Sequence, residues 1–304
     1  MYNNIIEVLR KLVIGDIFET DTVNKCWNIW RDEIMTLLPP NYTAQHILNL
    51  GDHLSEIFKR TGSKGRGQGE LSGGGTAWEA LVIWYINLCC VGTRVVAIKK
   101  MGHLPSPIRD AINVNYSNVS CSSESDITVI VFPDDPIFVD ENINLLKKNG
   151  KVNFNELSNH VGNSFQNFEV GIIQCKTNWN DNAQIPMLWD MIYSAGGFRG
   201  RQISVGRNNF SIQNLKTFTY SFVTVPTNKI ASYKTTSVSV KRVQNLSGGN
   251  YWGRPTSNGI ARSIQEIFQN YMSGYTKNDI RTTLISAISN LNENCELNYF
   301  KIKK

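Results

Sequence analysis

The sequence lacks the patterns that mark several large classes of protein. No run approaches the roughly 18 apolar residues that a membrane-spanning helix requires, and the longest apolar stretch, residues 80–91, is interrupted by Asn87. The N-terminus carries Glu7 before any long apolar run and has no small-residue cleavage pattern, so we expect no signal peptide. These absences predict a cytoplasmic protein without a membrane partner.

Paired metal-binding cysteines and histidines are also missing. None of the 6 cysteines forms a CxxC pair, and Cys89 and Cys90 are adjacent, which suits neither a tetrahedral metal site nor an ordinary disulfide. The 4 histidines show no HExxH or other zinc spacing. We therefore expect reduced thiols and no zinc enzyme.

Acidic residues are absent from one long part of the chain. No Asp or Glu occurs between Asp190 and Glu266, whereas ten Lys or Arg fall there. Residues 195–304 carry 15 Lys/Arg against 4 Asp/Glu, or +11, and residues 1–194 carry 16 against 21, or −5, which together give the net charge of +6. This asymmetry favours a polyanion-facing surface on the C-terminal third over a merely solvated basic face.

Helical patterns occupy the first quarter of the chain. Apolar residues recur at helical spacing over residues 5–12, from Asp21 to Pro39, and over residues 44–60. Residues 61–76 are rich in glycine, with no Walker or dinucleotide pattern, which predicts a flexible, weakly basic loop. Residues 77–88 are apolar all round, which predicts a buried helix whose only charge is Glu79.

Strand patterns dominate the middle of the chain. Residues 94–100, 126–132 and 169–176 predict strands, and residues 137–168 are interpreted as an insertion with one short helix. A helix over 181–193, strands over 217–225 and 232–243, and helices over 259–272 and 277–291 follow. The order predicts an α/β protein with a mixed central sheet flanked by helices.

Polar side chains lie at particular ends of two consecutive strands. Asp126 begins the first, and Gln174 and Lys176 end the second on a common face, because residues two apart on a strand point the same way. An antiparallel pairing would therefore bring the three together. Phosphodiester hydrolysis needs such a group, because Mg²⁺ takes oxygen ligands and activates water. Asp126, the Gln174 amide and the Cys175 carbonyl can supply oxygens, and Lys176 can orient the water and stabilise the transition state.

The motif resembles that of the PD-(D/E)xK nuclease superfamily, in particular type II restriction endonucleases. Ser125-Asp126 opens one strand and Gln174-Cys175-Lys176 ends the next, with Gln174 in place of the acid. The resemblance implies that Glu79 or Glu124 contributes the missing carboxylate. It also implies a restriction-endonuclease-like core over residues 61–198, an N-terminal helical segment over 1–60, and a basic DNA-recognition region over 199–304, in one compact unit.

Each candidate also has a structural interpretation. Asp126 could be a turn residue and Lys176 an exposed lysine, and Glu79 could form a capping box with Thr76. Glu124 could be a solvated loop acid. Asp134 and Asp135, in a Pro-Asp-Asp sequence, rival Ser125-Asp126 but follow their strand rather than opening it.

The resemblance implies Mg²⁺-dependent hydrolysis of double-stranded DNA at a short specific sequence. Cutting both strands of a near-symmetric site favours a homodimer, and a cognate DNA methyltransferase is the expected genetic partner. A structure-specific repair or junction nuclease and a non-catalytic DNA-binding protein are the alternatives. The candidate DNA-contacting residues are Arg199, Arg201, Arg207, Lys241, Arg242 and Arg254.

Overall fold

A computed structural model describes residues 3–61, 74–121, 125–142, 144–177, 203–225, 234, 236–247, 251–252, 280–292 and 298–302. The expected glycine-rich loop lies outside them except at its ends, and the helices expected over 181–193 and 259–272 lie outside them entirely. Within these ranges, none of the helices combines the length and the apolarity needed to cross a bilayer. No disulfide involves Cys26, Cys89, Cys90, Cys121 or Cys175.

Three helices form the N-terminal layer, as the sequence predicts: α1 (Ile5–Glu19), α2 (Asp21–Leu37) and α3 (Ala44–Lys59). The Asn4 side chain caps α1 by accepting from the Glu7 N–H. Helix α2 ends one residue before Leu38, which the two prolines follow.

Helix α4 (Gly74–Cys89) is the buried helix that its apolar sequence predicts. It contacts α1, α2 and α3 and also the strands β1 (Val95–Ile98) and β7 (Glu169–Lys176), so it joins the helical layer to the sheet. Two of its buried side chains bond to distant backbone: Trp84 Nε1 donates to the Phe300 carbonyl at 3.0 Å, and the Tyr85 hydroxyl donates to the Leu48 carbonyl at 2.6 Å.

A buried ion pair ties α1 to α4 and β1. Arg10, fully buried, pairs with Glu7 at 3.0 Å and donates to the Asn87 side chain and the Val95 carbonyl. Glu7 in turn accepts from the Gly92 N–H at 2.8 Å. These contacts compensate the cost of burying both charges. They also hold α4, the helix that precedes β1, in place.

The main sheet is mixed and has the strand order β1-β4-β7-β9-β10, with β4 at Ile127–Val131, β9 at Thr217–Thr224 and a two-residue β10 at Tyr251–Trp252. Strands β1, β4 and β7 are antiparallel neighbours, whereas β9 and β10 run parallel to β7. The sequence predicts the first four of these strands within one or two residues. Strands β4 and β7 are buried along nearly all their length, which explains their near-continuous apolar character.

Smaller elements surround this sheet. A second sheet contains β2 (Val114–Tyr116), β3 (Val119–Cys121) and β8 (Ile203–Val205), and a hairpin pairs β5 (Lys147–Lys148) with β6 (Lys151–Val152). The other helices within the described ranges are α5 (Ser106–Ala111), α6 (Pro136–Val139), α7 (Phe154–Asn163), α8 (Val238–Leu246) and α9 (Ile280–Asn292). Single 3-10 turns occur at Met101–His103, Phe165–Asn167, Ile212–Asn214 and Asn298–Phe300.

The sequence prediction is wrong at two places. Residues 232–243 were expected to form a strand, but α8 covers 238–246, because Val240 and Val243 are the buried apolar positions and stand three apart while Val238 is 73 % exposed. The insertion between β4 and β7 contains the helices α6 and α7 and a hairpin rather than one short helix.

Candidate active site

Backbone register places the two halves of the candidate site together. Ile127 pairs with Ile173 in the antiparallel ladder, so Asp126 stands opposite Gln174. This confirms the predicted antiparallel pairing of the two strands, although 48 positions separate Asp126 from Gln174 along the chain. The polar residues lie where β4 begins and β7 ends, at one edge of a sheet whose interior is apolar.

The Asp126 carboxylate is the centre of this cluster. Its Oδ2 accepts from Gln174 Nε2 at 2.6 Å and from the Cys175 N–H at 2.7 Å, and Lys176 Nζ lies 3.8 Å from it. Because every one of these contacts uses Oδ2, Oδ1 is the oxygen that a cation could take. The side chains of Asp126 and Lys176 are each 18 % exposed, so solvent reaches the cluster at its edge.

Strand geometry fixes what Cys175 can contribute. On an antiparallel strand the N–H and C=O of one residue point to the same neighbour, so the Cys175 carbonyl lies on the side of Asp126, to which its N–H donates. The thiol faces away and is buried, and burial raises its pKa well above the ordinary value. Cys175 therefore offers a carbonyl oxygen and a neutral thiol.

Helix α4 brings Glu79 to the same place. The Glu79 carboxylate forms an ion pair with the ammonium of Lys99, which follows β1 directly. The capping-box alternative for Glu79 is wrong, since α4 begins at Gly74 and Thr76 is its third residue rather than its N-cap. Glu79 is thus the second carboxylate of the cluster.

Burial and charge compete at both carboxylates. Burial raises the pKa of Asp126, against the Lys176 ammonium and the Cys175 N–H, which lower it. Burial also raises the pKa of Glu79, against the ion pair with Lys99, and the Asp126 carboxylate raises it further. Two desolvated acids that influence each other and face two ammonium groups are typical of a site that holds a cation or an anion.

The donor set fits a hard divalent cation. Asp126 Oδ1, the Glu79 carboxylate and the Cys175 carbonyl are oxygen donors, which Mg²⁺ prefers. Gln174 turns its nitrogen toward Asp126, so in this arrangement it orients the carboxylate and would have to present Oε1 to act as a ligand itself. No group of three or more His, Cys, Asp or Glu suited to a metal occurs among the described residues, so backbone oxygen and water would complete the shell. Glu124 lies outside the described residues.

The rival aspartates lie elsewhere. Asp135 caps α6, its side chain accepting from the Ile137 N–H at 3.0 Å, and Asp134 precedes it. Both aspartates follow the end of β4 that pairs with Glu169, which is the first residue of β7. Lys176 is the last residue of β7 and therefore lies at the opposite end of the ladder. Their position supports Asp126 over the Pro-Asp-Asp sequence as the partner of Lys176.

Three of the six candidate DNA-contacting residues are described. Arg207 pairs with Asp110 at 2.7 Å, and Asn208 donates to the same carboxylate at 2.8 Å. The positive charge of Arg207 is therefore partly neutralised by Asp110, and the same contact helps to fix the turn after β8. Lys241 is exposed on α8, and Arg242 follows it half-buried. Arg199, Arg201 and Arg254 lie outside the described residues.

Sequence reasoning missed two residues of this neighbourhood. The sequence pattern predicts only that Lys99 belongs to a strand. Its place directly after β1, the strand that pairs with β4, is a signal that could have indicated a position near Asp126. Thr224 stands opposite Lys176 in the parallel ladder and is fully buried, with no hydrogen-bond partner for its hydroxyl among the described residues. Nothing in the Thr/Ser-rich sequence of β9 distinguishes Thr224 from its neighbours.

Comparison with models of protein families, with curated proteins and with solved structures gives no match to this chain.

Proposed function

We propose that this chain is a Mg²⁺-dependent endonuclease of the PD-(D/E)xK type that hydrolyses phosphodiester bonds of double-stranded DNA at a short specific sequence. One observation carries the proposal: Asp126 and Lys176, 50 positions apart in the chain, meet at one sheet edge with 3.8 Å between Oδ2 and Nζ. Glu79, from a separate helix, adds the second carboxylate to the same cluster.

Each side chain has a role in hydrolysis under this proposal. Bound Mg²⁺ would supply a Lewis acid for the phosphate and lower the pKa of an attacking water. Asp126, Glu79 and the Cys175 carbonyl would hold it. Lys176 would orient the water and stabilise negative charge on the transition state, and partial burial makes that interaction stronger than in open solvent. Gln174 would keep the Asp126 carboxylate in place through its 2.6 Å hydrogen bond.

Charge distribution supports DNA as the substrate. The acid-free stretch between Asp190 and Glu266 carries ten basic residues, which suits contact with a phosphate backbone. The candidate base or phosphate contacts are Arg199, Arg201, Arg207, Lys241, Arg242 and Arg254. Cleavage of both strands favours a homodimer, and a DNA methyltransferase is the expected genetic partner of such an enzyme.

Plasmid digestion tests the reaction. The purified chain is incubated with supercoiled plasmid in Mg²⁺ and, separately, in EDTA. We expect discrete fragments with Mg²⁺ and intact plasmid with EDTA. A smear, or cutting confined to branched DNA, would replace sequence specificity with the repair or junction alternative, and a retarded gel band without cleavage would indicate a non-catalytic DNA-binding protein.

Substitution tests the site itself. We expect Lys176→Ala and Asp126→Ala each to lower the cleavage rate by at least about 10²–10³, the usual effect of removing a charge-stabilising group, while gel retardation without Mg²⁺ is little changed. Arg60→Ala is the matched control, because Arg60 also forms an ion pair, with Glu33 at 3.0 Å, in the N-terminal helical layer and outside the basic stretch. Wild-type rates in either site variant would remove that residue from the chemistry.

A further inference from the structure

Lys99 places a second ammonium group in the candidate site. It follows β1, the neighbour of β4 in the sheet, and its Nζ pairs with Oε2 of Glu79. Its side chain is 36 % exposed, twice the exposed fraction of Lys176. Ile98 pairs with Thr128 in the ladder between β1 and β4, so Lys99 follows at the end of β1 that lies beside Asp126.

Among the described residues, the four charged groups of the cluster sum to zero net charge. Glu79 and Asp126 contribute two negative charges, and Lys99 and Lys176 contribute two positive ones. The two pairs differ in closeness of contact: Lys176 lies 3.8 Å from Asp126 across the strand end, whereas Lys99 is in direct ionic contact with Glu79. A cation bound to either oxygen of Glu79 therefore shares that carboxylate with the positive charge of Lys99 and competes with it, and a cation that takes Oε2 must displace the Lys99 ammonium.

We propose that Lys99 is a positioning residue that holds the Glu79 carboxylate in the cluster and competes with the divalent cation for it. The inference rests on the proposed metal-dependent nuclease function. Once displaced, the ammonium of Lys99 is left without its acidic partner at the rim of the site, where an incoming phosphate is the natural anion to receive it. The cation thus takes the place of Lys99 beside Glu79, and the phosphate takes the place of Glu79 beside Lys99. The ion pair of the free protein is replaced by these two contacts.

Binding of Mn²⁺ to the DNA-free protein, measured by calorimetry, tests the competition. Lys99→Met removes the competing charge and keeps a chain of similar length, so we expect Mn²⁺ to bind about three- to tenfold more tightly, a modest effect because the site is partly solvated. Lys99→Arg should restore near-wild-type affinity. Lys100→Met is the matched control, since the adjacent Lys100 pairs with Asp16 and should leave the affinity unchanged.

The double variant Lys99→Met with Glu79→Gln identifies the route of the effect. If Lys99 acts through Glu79, Lys99→Met should bring no gain in affinity once Glu79 is neutral. An unchanged or weaker Mn²⁺ affinity of Lys99→Met, or the same gain in the Glu79→Gln background, would overturn the inference.

Asp126→Asn in the same titration separates this inference from the proposed function. If Asp126→Asn leaves Mn²⁺ binding at the wild-type level, the metal site itself is wrong. If Asp126→Asn abolishes binding and Lys99→Met has no effect, the metal site stands and only the role of Lys99 fails. Circular dichroism of each variant checks that the fold is retained.

Discussion

Replacing Gln174 by Glu should lower the free energy of unfolding in the absence of metal and should increase the stabilisation that added Mg²⁺ brings. In the wild-type protein Gln174 Nε2 donates to Asp126 Oδ2 at 2.6 Å. The substitution exchanges this donor for an acceptor and sets a second carboxylate against the first. Two unit charges about 4 Å apart repel by about 4 kcal/mol at an effective dielectric constant of about 20. Side-chain rotation, solvent at the rim and the nearby Lys176 should reduce the net loss to about 1–2 kcal/mol.

The pH dependence has a definite sign. Mutual repulsion raises the pKa of the two carboxyl groups in the folded state above their unfolded values. A raised pKa contributes stability that is present below the unfolded pKa and is lost as pH rises. The deficit of the Gln174→Glu variant should therefore be small near pH 4, the ordinary pKa of a glutamate, and should grow toward neutral pH.

Urea unfolding, followed by tryptophan fluorescence, measures the effect in EDTA and in Mg²⁺. Mg²⁺ should recover more free energy of unfolding in Gln174→Glu than in the wild-type protein, because the cation neutralises two facing carboxylates. Gln213→Glu is the matched control, since Gln213 is exposed in the 3-10 turn before β9, and β9 begins beside Glu169, at the end of β7 away from Asp126. A Gln174→Glu variant as stable as wild type in EDTA at pH 7, with no added response to Mg²⁺, would refute the reasoning.

Two further predictions concern stability. Arg10→Met should lower the free energy of unfolding by about 3–5 kcal/mol, because it leaves the Glu7 carboxylate buried without the Arg10 counter-ion. The Arg10→Met, Glu7→Leu double variant should cost less than the sum of the single variants, and strict additivity in urea unfolding would contradict the coupling. Asp126→Asn should be more stable than wild type at neutral pH, because burial raises the pKa of Asp126 and its ionised form is disfavoured in the folded state. That advantage should shrink as pH falls through the raised pKa of the folded state and should be absent below about 4, the ordinary pKa of the carboxyl. A constant difference from pH 3 to 8 would count against it.

Strong periodicity accounts for the parts of the fold that could be predicted from the sequence. Helices α1 to α4 and strands β1, β4, β7 and β9 have apolar patterns long enough to define their type. The strand expected over 232–243 failed because Thr, Ser and Val alternate there, while burial follows Val240 and Val243 on one side of a helix. Short strands such as β2, β3 and β8, with three residues each, carry too little pattern to be recognised.

The candidate site was predictable only where strand geometry determines position. The placement of Asp126 opposite Gln174 follows from two clearly predicted strands and the assumption that they pair antiparallel. The observed register confirms that pairing. The ion pair between Glu79 and Lys99 joins a helix to the end of a different strand, so it depends on how α4 packs on the sheet. The contact of Arg207 with Asp110, 97 positions away, likewise needs the tertiary structure.

The long excursion between β4 and β7 has a practical consequence. The segment between the two strands begins and ends where Val131 pairs with Glu169. Asp126 and Gln174 lie at the other end of the same ladder. Changes in length between those two points do not alter the register, because pairing and side-chain alternation are set by the strands themselves. An affinity tag or fluorescent reporter could therefore be spliced into the exposed β5–β6 turn, around Asn149 and Gly150, while the geometry of the opposite rim is preserved.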